Sequence, residues 1–190
     1  MTEPELSREL RVRLVARDEE ALAEMFDVFF ERVWAFLRRS VADDGLAEDL
    51  TQDVFLRIYQ ALPRYDPARA LRPWIFTIAT NRLRDHWRSG AHRLDRQSVD
   101  VDDGALHLPA DDGLPADLLE REELAGLVGE AVERLPEGMR LVVQLRAFQD
   151  LSFEEIAEVL ELQPTAARKR FSRALTMLRE DLANHPEALA

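Results

Sequence analysis

Apolar residues recur at helical spacing from Glu19 to Val41, where Leu22, Met25, Phe26, Phe29, Phe30, Val33, Phe36 and Leu37 return to one side. Asp43, Asp44 and Gly45 interrupt that run. A second run, Leu46 to Leu62, places Leu50, Val54, Phe55, Ile58 and Leu62 on its apolar side. Pro63, Pro67 and Pro73 then bracket an irregular stretch. A third amphipathic segment follows from about Trp74 to Arg88, through Ile75, Ile78, Ala79 and Leu83. The periodicity lapses from Asp95 to Pro115, where Asp100, Asp102, Asp103, Asp111 and Asp112 lie among glycines and prolines. So little apolar material cannot offset the entropy of ordering it, which predicts a flexible acidic linker. From about Ala116 the helical pattern resumes and continues nearly to Asn184, and no stretch alternates as a strand would. The pattern predicts an all-α protein with two small helical domains joined by that linker. The expected divisions are an N-terminal extension over residues 1–18, a first domain over 19–94, the linker over 95–117, a second domain over 118–184 and a tail over 185–190.

Composition narrows the function classes. With 46% hydrophobic residues the chain can bury cores, and 33% charged residues favour solubility. No apolar run approaches the ~20 residues that cross a bilayer, and no apolar segment of signal-peptide type stands near the N-terminus. No membrane insertion is expected, and the cytoplasm is the expected location. The absence of cysteine removes disulfides, thiolate metal sites and thiol nucleophiles. His86, His92, His107 and His185 share no metal-ligand spacing with carboxylates, Glu154 and Glu155 point to different sides of a helix, and no glycine loop is built for phosphate. Neither an enzyme nor a cofactor is expected.

The net charge of −12 argues at first against a nucleic-acid partner, but what matters there is the local patch. Between Arg64 and Arg93 the acids are Asp66 and Asp85, set among Arg64, Arg69, Arg72, Arg82, Arg84, Arg88 and Arg93. From Arg168 to Arg179 the charged residues are all basic: Arg168, Lys169, Arg170, Arg173 and Arg179. Two basic surfaces on an acidic body are predicted.

The second of these surfaces sits in a helix-turn-helix pattern. Leu151 to Leu160 reads as a short helix with Ser152 as its cap and Glu155 as the capping-box partner three residues on. After a turn, Pro164 suits the first position of a basic helix from about Thr165 to Leu182. Ile156, Ala157, Leu160 and Leu162 can pack against Phe171, Ala174, Leu175 and Leu178, leaving the basic side to face a major groove. In the first domain, Asn81, Arg84, Asp85 and Arg88 share one helical stripe near Trp74, Phe76 and Trp87. Aromatic faces and arginines together suit single-stranded nucleic acid, although Trp74 and Phe76 also have the spacing of core residues. Asp85 has Arg82, Arg88 or another helix neighbour within reach as an ion-pair partner. Glu48, Asp49, Gln52, Asp53 and Leu56 form an acidic and apolar stripe on the second helix, which fits a basic protein partner.

Three segments resemble the extracytoplasmic-function (ECF, group IV) sigma factors of the sigma-70 family. Ala47 to Arg57 resembles the signature of region 2, Pro73 to Arg88 the segment after it, and Leu135 to Leu182 resembles region 4. The resemblance implies a subunit that directs core RNA polymerase to promoters and is held in check by an anti-sigma factor. It implies that Glu48, Asp49, Gln52, Asp53 and Leu56 meet the β′ clamp helices, and that the region-4 domain docks on the β flap. Arg64, Tyr65, Asp66, Arg72, Trp74, Asn81, Arg84, Asp85 and Arg88 would then hold the melted −10 element. Arg168, Lys169, Arg170, Ser172 and Arg173 would contact the duplex −35 element, and the acidic linker would thread toward the RNA-exit path. The chain departs from the family pattern in places. Glu161 stands where the turn usually has glycine, at a position expected to need positive φ. Ala166 and Ala167 replace a Thr-Val pair, and Leu71 replaces an aromatic. A helix-turn-helix regulator that binds duplex DNA without polymerase is the alternative, but it leaves Glu48–Arg57 and the aromatic, basic helix without a purpose.

Overall fold

Side-chain caps set where the helices of the first domain begin. Ser7 Oγ accepts from the Leu10 amide at 3.1 Å and opens α1 (Arg8–Val15), whose Leu10 and Leu14 are buried. The chain leaves α1 through Arg17, at φ 57°, and the Asp18 amide donates back to the Arg13 carbonyl at 3.1 Å. Asp18 then caps α2 (Glu19–Arg38). Its carboxylate accepts from the Ala21 amide at 3.0 Å and from Arg13 at 2.6 Å, and these bonds hold its pKa below the ordinary aspartate value. Asp43 caps α3 (Asp44–Ala61) in the same way, accepting from the Leu46 amide at 2.7 Å. This computed structural model describes residues 7–41, 43–91 and 122–183. The extension expected over 1–18 therefore contains a helix that packs on the first domain. The predicted linker over 95–117 and tail over 185–190 lie outside the described residues.

The last helix of this domain, α4 (Leu71–Ala91), begins earlier than the proline bracket suggests. Pro73 lies inside its first turn, where no intrahelical acceptor would await its missing N–H. A short 3-10 turn, Leu62–Arg64, connects α3 to the loop before α4. The core is filled by the inward side of each helix. Val33 and Phe36 come from α2, Leu50, Val54 and Ile58 from α3, and Ile75, Phe76, Ala79 and Leu83 from α4, all at most 1% exposed. Phe36 and Phe76 meet edge to face with ring centres 5.5 Å apart.

The second domain consists of α5 (Glu122–Arg134), α6 (Glu137–Val143) with a π-helical turn over Gln144–Phe148, α7 (Phe153–Leu160) and α8 (Pro164–Ala183). The two domains are separate compact units. The capping box at α7 forms as expected, with the Ser152 amide donating to Glu155 Oε2 at 2.7 Å and the Glu155 amide donating to Ser152 Oγ at 3.2 Å. The helix ends on Glu161, whose φ is 57°, and the Leu162 amide donates to the Ala157 carbonyl at 2.8 Å. That bond closes a Schellman turn, the left-handed geometry expected of this position. Ile156 and Leu160 of α7 and Phe171, Ala174 and Leu178 of α8 are buried, while Leu162 is half-buried; α8 packs chiefly on α6 and α5, and it meets α7 where the Phe153 and Phe171 ring centres lie 5.6 Å apart. Arg134 at the end of α5 binds Asp181 near the end of α8 at 2.8 Å.

Replacing Glu161 by glycine removes the steric cost of the left-handed residue, about 1–2 kcal/mol, against about 0.5–1 kcal/mol of added chain entropy. Glu161→Gly is expected to slow amide hydrogen exchange across α7 and the first turns of α8 by a few-fold in the full chain.

Candidate functional site

Three surfaces carry the expected site residues. The first is the solvent side of α3. Because Ala47, Leu50, Thr51, Val54 and Ile58 face inward, the expected stripe covers the whole outer face and divides in three. Glu48 and Gln52 lean toward α2 and line a groove of about 350 Å³ with Phe30, Glu31 and Trp34. Asp49 and Leu56 are exposed on the crest, Leu56 by 54%. Asp53 leans the other way, and its Oδ2 accepts from Arg82 of α4, with Arg57 Nε 3.5 Å away. Asp53 is thus engaged within the domain rather than fully presented to a partner.

The groove has aromatic neighbours that the helical periodicity grouped with the inward-facing residues of α2. Phe26 is 44% exposed and Phe30 half-buried, and their rings lie 5.0 and 5.8 Å from Phe55 of α3. The signal was present as paired apolar residues. Met25 and Phe29 face inward, whereas Phe26 and Phe30 form a second row on the shoulder of α2.

The second surface is the loop before α4 together with the outer stripe of that helix. Arg64 and Asp66 are exposed and Arg72 is half-buried. Tyr65 is a correction to the expected DNA-facing set, for it is only 4% exposed and its hydroxyl donates to the Arg69 carbonyl at 2.6 Å. Its ring centre lies 4.7 Å from that of Trp74, and burial pushes its pKa up. The same Arg69 carbonyl accepts from Arg11 of α1 at 2.8 Å, and Asp66 accepts from the Ala68 amide at 2.9 Å. The loop is therefore tied down from inside, and Tyr65 supports it. Leu71, the departure from the aromatic pattern, is buried, as is Phe76, while Trp74 stays half-buried at the start of the stripe. Asn81 and Arg88 are exposed along it, with Arg84 half-buried. Asp85 faces the α3 side, 4.0 Å from Arg57 and 3.7 Å from Arg88. The Arg88 pairing was expected from the spacing; Arg82 instead pairs with Asp53.

The third surface is α8. Ala167, Phe171, Ala174, Leu175 and Leu178 are its buried side, so Lys169, Ser172 and Arg173 lie on the opposite side. Arg168 and Arg170 flank the buried stripe. Arg168 binds Glu154 of α7 at 2.8 Å and lies over the Phe153 ring at 5.4 Å from its centre. Arg146 lies over that ring at 5.0 Å. Arg170 lies against α6, for a Cβ added at Gly138 would come within 3.1 Å of its guanidinium. Of the two alanine departures, Ala167 is core, so its change does not alter the outer face. Among the described residues no cluster of histidine and acid side chains could hold a metal ion, and no helix is long and apolar enough to cross a membrane.

These surfaces coincide with family matches. The family model Sigma-70 region 2 matches residues 25–93, and Sigma-70, region 4 matches residues 125–178. Over 168 residues the chain is 34% identical to the ECF RNA polymerase sigma factor RpoE of Cereibacter sphaeroides, covering 88% of this chain and 89% of that one. The chain belongs to the sigma-70 family of RNA polymerase sigma factors and is of the ECF type. Among its relatives, the RNA polymerase sigma factor CarQ of Myxococcus xanthus is 35% identical over 163 residues, which is 85% of this chain and 89% of CarQ. Among solved structures, CnrH in complex with the cytosolic domain of CnrY is similar at a TM-score of 0.70 and 26% identity, covering 93% of this chain and 97% of CnrH. The sigma factor RpoE solved with the anti-sigma factor NepR from Bartonella quintana shares the fold at a TM-score of 0.64 and 21% identity, over 85% of this chain and 96% of that one.

Asp53→Ala is expected to destabilise the first domain by about 1 kcal/mol, because it strips a partly buried partner from Arg82. Urea unfolding followed by fluorescence of Trp34, Trp74 and Trp87 reports it, and Asp49→Ala is expected to leave the midpoint unchanged.

Proposed function

We propose a division of labour among these surfaces. The crest and groove of α3, with Asp49, Leu56, Glu48 and Gln52, dock core RNA polymerase through its β′ clamp helices, and the second domain meets the β flap. Acidic residues around exposed apolar anchors give such a surface charge selectivity for a basic partner. The loop from Arg64 to Arg72 and the α4 stripe of Trp74, Asn81, Arg84 and Arg88 hold the melted −10 element. There an aromatic face and cations suit unstacked bases and phosphates. The outer side of α8, with Lys169, Ser172 and Arg173, enters the duplex −35 element. The observation that carries this reading is the placement of the carboxylates. From Arg168 to Arg179 the charged residues of α8 are all basic, and on the α4 stripe the one acid, Asp85, is matched by Arg57 at 4.0 Å and Arg88 at 3.7 Å.

The protein acts by binding, with no catalysis of its own, and it works in the cytoplasm, where the polymerase is. An anti-sigma partner restrains it by covering these faces. CnrH, to which this chain is similar, is solved bound to another protein, the cytosolic domain of CnrY, and a protein partner on this fold is in keeping with that part of the proposal.

Separated-function variants test the division. Arg173→Ala is expected to weaken binding of the reconstituted holoenzyme to the upstream duplex by about tenfold while leaving affinity for core polymerase unchanged. Asp49→Arg is expected to do the reverse, lowering core affinity about tenfold through like-charge repulsion. Equal loss of the same activity in both variants would refute the division.

A further inference from the structure

Charged side chains run in file from the crest of α3 to the outer stripe of α4. Asp53 Oδ2 accepts from Arg82 Nε and has Arg57 Nε at 3.5 Å. Arg57 Nη1 lies 4.0 Å from Asp85 Oδ2, and Asp85 Oδ1 lies 3.7 Å from Arg88 Nη1. The order is Arg82, Asp53, Arg57, Asp85, Arg88, with the sign alternating at each step. Access rises along it, from an Arg82 side chain 24% exposed to an Arg88 side chain 75% exposed. Asp53 stands one turn of α3 from both Asp49 and Leu56, so the file begins beside the crest. It ends on the stripe, where Asp85 and Arg88 share a side of α4 with Asn81 and Arg84. Both acids are divided. Asp53 has two arginines at one oxygen, and Asp85 has one arginine at each.

We propose that this file of charges couples polymerase docking to capture of the melted strand, with Asp53 as the shared acid and Arg57 as the relay. The proposal rests on the assignment of α3 to the polymerase and of α4 to the −10 element, and it adds how occupancy of one face reaches the other. A cation of the polymerase that pairs with Asp53 competes with Arg57 for the same carboxylate. Arg57 then turns its attraction to Asp85, which is already within its reach. Asp85, better neutralised, holds Arg88 less, and Arg88 is released to phosphate. Arg82 stays on the α3 side as the anchor that orients Asp53. In the chain alone the same contacts act in the opposite sense, for Asp53 occupies Arg57 and Asp85 retains Arg88. Half-exposed ion pairs of this kind are weak and screened by salt, so the coupling is small and greatest at low ionic strength. It is also reciprocal: a bound strand tightens docking by the factor by which docking tightens the strand. Asp53 and Arg57 are positioning residues here, and Arg88 is the group that touches nucleic acid.

The test uses the full chain, alone and reconstituted with core polymerase, and a fluorescent single-stranded oligonucleotide copied from the −10 region of a promoter at which the holoenzyme starts. Without polymerase, Asp53→Asn is expected to raise affinity for the oligonucleotide about three- to fivefold, because it imitates the engaged state. A merely structural loss at Asp53 would lower that affinity instead. Removal of a negative charge by itself would raise it equally in any background, so a double-mutant cycle separates the two. In the Arg57→Gln chain, where the relay is already cut, Asp53→Asn is expected to change affinity by less than about twofold. Saturating oligonucleotide is expected to tighten binding of the unsubstituted chain to core polymerase, by a factor that falls about threefold in Asp53→Asn. Equal gains from Asp53→Asn with and without Arg57, or an oligonucleotide effect on core affinity that is the same in both chains, overturn the coupling. Arg88→Ala in the holoenzyme tells that failure from a failure of the underlying assignment. If it weakens oligonucleotide binding while the gains are equal, the assignment of α4 stands and the coupling alone is refuted. If it leaves binding unchanged, the assignment of α4 fails and the coupling falls with it.

Discussion

Asp53 accepts from Arg82 across the α3–α4 interface, and Asp85 of α4 lies 4.0 Å from Arg57 of α3. In the second domain Glu154 holds Arg168 at the α7–α8 shoulder, and Asp181 holds Arg134. These pairs answer one constraint. A chain with a net charge of −12 can approach phosphate only where cations locally outnumber the acids, and each of these acids is matched by an arginine beside it. Individually, such half-exposed pairs contribute little stability. Their consequence is positional: each draws an acid to a helix shoulder and leaves an adjoining stripe basic.

The rest of the fold serves that segregation. In the first domain α2 and α4 pack on α3 and on each other, with α1 against α2 and the 3-10 turn, so that α3 turns an acidic, apolar face outward and α4 a basic, aromatic one. The loop between them is not free to adapt at every point, because Tyr65 and Arg11 both bind the Arg69 carbonyl. In the second domain the capping box at Ser152 and the left-handed Glu161 fix both ends of α7. The angle at which α8 leaves that turn is thereby set by backbone hydrogen bonds as well as by core packing.

Features whose partners lie within a few residues were legible in the sequence. The Ser152–Glu155 box spans three positions, the left-handed turn is localised by Glu161 and Pro164, and the buried side of α8 follows from its period. Membership in the family was carried by three motifs in order. Features that depend on distant packing were not legible. Asp53 and Arg82 are twenty-nine positions apart, and no pattern along the chain announces their pairing. Tyr65 entered the DNA-facing set through the family resemblance of its loop, yet its ring packs beside Trp74 and is buried. Phe26 and Phe30 belong to the same apolar period as Met25 and Phe29, and period alone does not say how wide a stripe its neighbours cover. The residues before Asp18 were open to two readings, a disordered arm or a helix packed on the first domain, because Leu10 and Leu14 stand among arginines; the second is what forms, with Ser7 at its start. The residues expected to form the linker lie outside the described structure, so their role rests on composition.

Promoter-directed transcription is the most direct measure of what this chain does. Core polymerase, alone or mixed with the purified protein, would transcribe a library of genomic fragments, and the 5′ ends of the products would be mapped. We expect the mixture to give discrete start sites preceded by a common pair of upstream elements, absent with core enzyme alone. The same unfocused products with and without the protein would contradict its role as the promoter-recognition subunit.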